Sequence, residues 1–219
     1  MSQTDSFIEE VTEEVRRDRL FVLMKKWGWV AGVAVLLLVG GAAFNEWRKA
    51  SQATAAQAFG DQLLAGVQAG DDGSALDQVE TETATQAAVA ANLTAAVALE
   101  EGNRDRAIAA LEGVGSLSEA PAIYRDLSAF KRALALSTDT PSDERIAAFD
   151  ALTIPGSPFR LLAQEQKALI MIETGKVDDA IDLLKNILQA SELTAGLQRR
   201  ASELIVALGG ELEEGTQQG

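Results

Sequence analysis

Cysteine and histidine are both absent from this chain. Without cysteine there is no disulfide framework and no thiolate nucleophile, and cysteine usage gives no reading of the redox compartment. Without histidine the chain builds no Ser-His-Asp triad, no imidazole general base and none of the usual zinc sites. Catalysis by carboxylates alone stays chemically open, but the commonest toolkits are excluded. The expectation is a protein that is not an enzyme and carries no cofactor or metal. Aromatic residues are scarce at 5%, whereas hydrophobic residues as a whole reach 47%, mostly alanine, leucine and valine. That balance favours closely packed small-residue helices over a β-sandwich. No stretch alternates with period two for long enough to make a strand. The fold class expected is all-α.

Charge is distributed unevenly. Residues 1–49 carry seven Lys/Arg and seven Asp/Glu, whereas residues 50–219 carry twelve against 26, so the second part holds the entire net charge of −14. Such a domain repels phosphate backbones and anionic headgroups, which argues against nucleic acid as a partner. The acidic turn "AGDDGSALD" (69–77) lacks the spaced oxygen ligands and closing glutamate of a calcium loop, and reads as a helix-capping turn.

One long run has no charge at all. The run from Trp27 to Asn45 is 19 residues without an ionisable side chain, inside "KKWGWVAGVAVLLLVGGAAFNEWRK" (25–49). At about 1.5 Å per residue, this nearly matches the roughly 30 Å hydrocarbon core of a bilayer. Trp27 and Trp29 stand at one end and Trp47 at the other, where amphipathic rings prefer the interface, and Lys25, Lys26, Arg48 and Lys49 can snorkel outward. These collars set the run apart from a buried core helix. It reads as a permanent transmembrane helix over residues 27–46. The competing reading is a signal sequence cleaved after Ala43, which would release a soluble periplasmic binding protein. Five Lys/Arg precede the span (Arg16, Arg17, Arg19, Lys25, Lys26) and only Arg48 and Lys49 follow it closely. The positive-inside rule then puts the N-terminus in the cytoplasm and the remainder outside, which in a Gram-negative cell is the periplasm. Gly28 and Gly32 form a GxxxG, a candidate face for homodimer formation.

Residues 1–26 read as a cytoplasmic juxtamembrane helix. Ser6 and Glu9 form a capping box that would start it near Phe7, and Phe7, Val11 and Val15 make a narrow apolar stripe. It is either a solvated helix or a short docking helix. The anchor helix is expected to run on past Trp47 through "ASQATAAQAFGDQLLAGV".

Residues 47–209 contain an internal repeat. "AAVALEEGNRDRAIAALEGV" (95–114) aligns without gaps with "ALIMIETGKVDDAIDLLKNI" (168–187) at a separation of 73. Ala95, Gly102, Ala107, Ile108 and Leu111 correspond to Ala168, Gly175, Ala180, Ile181 and Leu184. Between them "IAAFDAL" (146–152) matches at offsets of 38 and 35, with Ala133 at the corresponding place in the preceding helix. That middle unit has Thr140 and Pro141 where the others turn on glycine. Each unit needs a small residue where two helices touch, a glycine ending the first helix and an alanine early in the second. Leu111, Phe149 and Leu184 then fill the space between units. A weaker earlier unit places Gly70 and Ala75 in the same relation. The last helix, about 193–208, would cap the stack, and residues 210–219 form a tail with nothing to bury, expected to be disordered.

Units of 35–38 residues with this pattern are similar to degenerate tetratricopeptide repeats. The "FIEEVTEEVRRDR" lead, the "KKWGW" and "NEWRKA" brackets, the "FGDQL" segment and the repeats together resemble the YfgM-like family of bacterial single-pass tetratricopeptide repeat-like proteins. That resemblance implies an inner-membrane, non-enzymatic ancillary component of the Sec translocon, working with a membrane-bound periplasmic chaperone on exported polypeptides. The other assignment left open is an architectural subunit of a different inner-membrane complex. The resemblance carries no binding residues, so these come from repeat phase. The wall formed by the first helix of each pair would present Asn92, Ala96 and Leu99, then Phe130, Leu134 and Ser137, then Glu165, Leu169 and Ile172. Of these, Asn92, Leu99, Phe130, Leu134, Glu165 and Leu169 are the candidate partner-binding residues. The wall is either an apolar groove for a partner segment or a surface packed against other helices.

Overall fold

The computed structural model describes residues 4–70 and 73–212, with side chains from residue 25 onward apart from Ala31. Every regular element among the described residues is helical, as expected. Eight α-helices follow in order: α1 Thr4–Gln68, α2 Ala84–Glu100, α3 Arg104–Gly115, α4 Ala122–Ala135, α5 Ser142–Asp150, α6 Arg160–Glu173, α7 Val177–Leu188 and α8 Ala195–Ala207. A short 3-10 helix, Ser74–Gln78, lies between α1 and α2. The chain divides into two units, Met1–Ala58 and Phe59–Gly219.

In the first unit, α1 contains a stretch long and apolar enough to cross a membrane, and none of it is buried within the protein. Trp27, Trp29, Val35 to Val39, Phe44 and Trp47 all stand exposed. A core helix of a soluble domain would hide these side chains against neighbours, and this one does not. The helix continues unbroken to Gln68, as its alanine-rich, proline-free sequence suggests. It already begins at Thr4, so Ser6 lies inside the helix rather than at its cap, which corrects the expected start near Phe7. The apolar stripe of Phe7, Val11 and Val15 lies outside the described side chains.

In the second unit each helix packs on its successor from α2 through α8, and α2 also lies alongside α4. The core is accordingly strung out as a chain of local clusters. One joins α2 and α3 through Ala95, Ala98, Ala107 and Leu111. The next is centred on Ala88, Val114 and Ala120. A third joins α4, α5 and α6 around Phe149 and Leu152, and the last joins α6, α7 and α8 around Leu184, Ile187 and Ile205. Contact is thus mainly between neighbours in sequence, the arrangement that makes repeat assemblies nearly one-dimensional.

The repeat positions behave alike. Ala95 and Ala168 are buried, as are Ala107 and Ala180, and Leu111, Phe149 and Leu184 are each buried in their clusters. Val114, Leu152 and Ile187, one turn later, follow the same rule. Gly102 and Gly175 both adopt left-handed backbone, with φ of 77° and 76°. The hydrogen bonds around them match. Gly102 N–H donates to Leu99 O (3.1 Å) and Asn103 N–H to Ala98 O (2.7 Å), while Gly175 N–H donates to Ile172 O (3.1 Å) and Lys176 N–H to Met171 O (2.8 Å). These paired bonds satisfy the last carbonyls of α2 and α6 and turn the chain into the next helix. The middle unit does differ: α4 leaves through extended Leu136, and α5 starts after Pro141 without any left-handed residue.

No atom lies within 4 Å of where a Cβ on Gly175 would sit, so Gly175→Ala carries only the backbone penalty. A loss of about 1–2 kcal/mol is expected, read as a lower urea midpoint at unchanged slope. Gly113, inside α3 with equally open surroundings, is the control. There alanine is expected to stabilise by about 0.5 kcal/mol.

The weak first unit is not a full helix pair. Gly70 turns the chain with φ 69°, but the 3-10 helix follows, and Ala75 is only half-buried. Too few residues separate Gly73 from the cap of α2, where Thr83 and Gln86 each accept the other's backbone N–H at 3.2 Å. Leu76 packs instead against Gly66, whose Cβ, were there one, would meet Leu76 Cδ2 at 2.5 Å. The chain end also differs from expectation. Gly210 N–H donates to Ile205 O at 2.9 Å, and Leu212 packs against the α6–α8 cluster, so packing extends beyond residue 209. Residues 213–219 lie outside the described ones.

Candidate partner-binding groove

The first helices of the pairs, α4 and α6, form with α8 an open groove of about 690 Å³. Phe130 and Leu134 come from α4, Leu162, Glu165 and Leu169 from α6, and Leu204 with Arg200 from α8. Four of the six candidate residues (Phe130, Leu134, Glu165 and Leu169) therefore converge on one surface. Their spacing explains this. Positions 130, 134, 165 and 169 are one turn apart within each helix and one repeat apart between helices.

Phe130 is held rather than loose. Its ring stacks on Phe159 at 5.5 Å between centroids and meets Phe149 edge-on at 5.8 Å. Leu134, by contrast, is 49% exposed with nothing covering it. An apolar side chain left open in this way is the material of a recognition surface when others adjoin it.

Glu165 is not available to a partner in the way its exposed wall position suggested. It is only 5% exposed, and Arg200 Nε and Nη2 donate to its two carboxylate oxygens at 2.7 Å each. Those hydrogen bonds to Glu165 raise the Arg200 pKa above its usual value. The pair fixes α6 to α8 and forms a polar floor in a mainly apolar groove, which Gln166 and Glu203 also line. Asn92 calls for a larger correction. It is 8% exposed and is not among the residues that line the α4/α6/α8 groove, and its Nδ2 donates to Ala88 O at 2.9 Å and to Ser128 Oγ at 2.7 Å. Ser128 in turn donates to Tyr124 O at 2.8 Å. Asn92 thus joins α2 to α4, because these two helices approach closely enough to cover the wall at that level.

Leu99 is 42% exposed and lines a separate pocket with Leu134. Of the remaining wall positions, Ala96 also lines that pocket, while Ser137 bonds locally with Asp139. Repeat phase missed Arg200 and the Ser128 partner, although a signal existed. Glu165 and Arg200 are 35 residues apart and Asn92 and Ser128 are 36 apart, so complementary polar residues recur at about one repeat length. Among the described residues no cluster of three or more acidic side chains could hold a metal ion. No protein-family model, curated protein or solved structure matches this chain. The groove's largely apolar walls, the internally neutralised Glu165–Arg200 pair and an open mouth suit an extended or helical polypeptide segment.

Proposed function

We propose that this protein is a membrane-tethered interaction module that presents the α4/α6/α8 groove to polypeptide segments. The apolar part of α1 is its single-pass anchor. The N-terminus lies in the cytoplasm, by the excess of Lys and Arg ahead of the span, and the acidic helical unit stands in the periplasm as a tetratricopeptide-like stack. Support for the stack comes from the matched burial and matched turns at Gly102 and Gly175. Gly28 and Gly32, with nothing near them, leave room for a second copy's helix to approach. In this reading, which the sequence resemblance to YfgM-like proteins supports, the module works at the exit of the Sec channel, with a membrane-bound chaperone and newly exported polypeptides as partners. Its role is binding, not catalysis. The observation that carries the proposal is the convergence of Phe130, Leu134 and Leu169 on one open apolar groove in a chain whose other long apolar surface is a membrane-length helix.

The test is a photo-crosslinker introduced at Leu134 or Leu169 of the full-length chain in living cells, with Asp182 on α7 as the control position. Exported polypeptides are expected to crosslink from the groove positions and at least tenfold less from Asp182. Equal yields from both faces would overturn the assignment of the groove.

A further inference from the structure

Beyond Leu134 the same wall runs into the second pocket, of about 220 Å³, floored by Ala95, Ala96 and Leu99 of α2 and by Leu111 of α3. Arg104 and Lys131 also line it. Two cations at one small pocket stand out in so acidic a domain. Among the described residues, seven of the twelve Lys and Arg that follow residue 49 find a carboxylate: Arg106, Arg145, Arg160, Lys167, Lys176, Arg199 and Arg200. In a domain with more than twice as many acids as bases, that is the expected fate of a cation. Arg104 and Lys131 are among the five that make no such pair, with Arg125, Arg132 and Lys185, and of these five they are the two that line a pocket described above, the same one. Burial lowers the Lys131 pKa, with no carboxylate acting the other way.

We propose that this pocket receives a carboxylate of the bound polypeptide between Arg104 and Lys131, with the neighbouring apolar side chains of that polypeptide lying over Leu99 and Leu134. The inference rests on the reading of the larger groove as a polypeptide site, and it adds the chemistry of the ligand. Two cations beside a low-dielectric apolar floor focus a positive potential that the rest of the acidic surface lacks. A carboxylate placed there makes charge-assisted hydrogen bonds to both. The alanines of the floor let a main chain come close, and Leu134 lines both pockets, so one extended segment can span them. A fatty acid would offer the same carboxylate. The surfaces here are short and open, whereas an alkyl chain is best held in an enclosed channel, so the observations favour a polypeptide.

The experiment uses the full-length chain in nanodiscs and a pool of random twelve-residue peptides, one half with free C-termini and one half amidated. The wild-type protein is expected to enrich peptides in which Leu, Ile or Phe lies near an Asp, a Glu or a free C-terminus. Arg104→Gln with Lys131→Gln is expected to lower the enrichment of acidic over neutral peptides at least fivefold, with helicity by circular dichroism unchanged. Comparison of the two halves tells a side-chain carboxylate from a terminal one. Undiminished acid enrichment in the double variant, or no preference for acids in the wild type, overturns the inference and leaves the groove standing. Absence of any apolar enrichment in the wild type removes the polypeptide reading itself. Dodecanoate binding tighter than the enriched peptides overturns the inference in favour of a lipid.

Discussion

Phe149→Ala is expected to destabilise the helical unit by about 3–5 kcal/mol, the usual range for emptying a buried phenylalanine site. Phe149 is 2% exposed and lies among Ala133, Leu152, Ala163 and Ile170, with Phe130 against its ring. Two features keep the cavity from collapsing. The alanines have no longer side chains to move inward, and the Phe130 ring is already fixed by Phe159. Because the core is a row of local clusters, the damage falls at α4–α6. Unfolding should lose cooperativity, with the cluster that joins α6, α7 and α8 persisting after α4 and α5 are lost. Urea titration followed by circular dichroism would reveal this as a lower first midpoint and a broader transition. Phe149→Leu, which keeps most of the volume, is expected to cost less than about 1.5 kcal/mol. A loss under about 1 kcal/mol for the alanine variant would mean that this cluster does not hold the middle of the stack.

The second large effect concerns the groove floor. Arg200→Ala should cost about 2–3 kcal/mol, below the roughly 3–5 kcal/mol of a fully enclosed pair, because the Arg200 end is half-exposed and water reaches it. Most of the loss comes from stranding the buried Glu165 carboxylate, not from the attraction itself. Replacing both residues by leucine should therefore recover more than half of it, since no charge is then left without a partner. Thermal melts of Arg200→Leu, Glu165→Leu and the double leucine variant give the coupling directly. Additive losses would show that the two side chains do not act as a pair.

The fold was legible where packing imposes a residue type at a fixed interval. Ala107 and Ala180 have to be small because two helices touch there, Gly102 and Gly175 have to accept left-handed backbone, and Leu111, Phe149 and Leu184 have to fill the gaps between pairs. The apolar run in α1 was equally plain, since length and charge-free composition carry that signal. Other features depend on geometry that one helix period does not encode. The truncated first unit follows from the short connection between Gly73 and Thr83, and the packing of Leu212 follows from where α8 ends.

The candidate site divides along the same line. Phe130, Leu134 and Leu169 could be placed because they repeat in phase on exposed faces. Asn92 and Glu165 share that phase but are covered, because the wall closes where α2 meets α4 and where Arg200 reaches across from α8. Arg104 and Lys131 left no trace in the repeat. They are 27 residues apart, well short of one unit, and come together only because the start of α3 and the middle of α4 border one pocket. Their significance lies in the acids they do not meet, which a linear pattern cannot display.

The central claim is that the apolar segment of α1 spans a bilayer and holds the acidic helical unit on its far side. Protease added to spheroplasts that produce the full-length chain, tagged at both ends, tests it most directly. The expected result is loss of the C-terminal tag together with residues beyond the span, while a small N-terminal fragment stays protected inside. Survival of the C-terminal tag in intact spheroplasts, with digestion only after detergent is added, would contradict it.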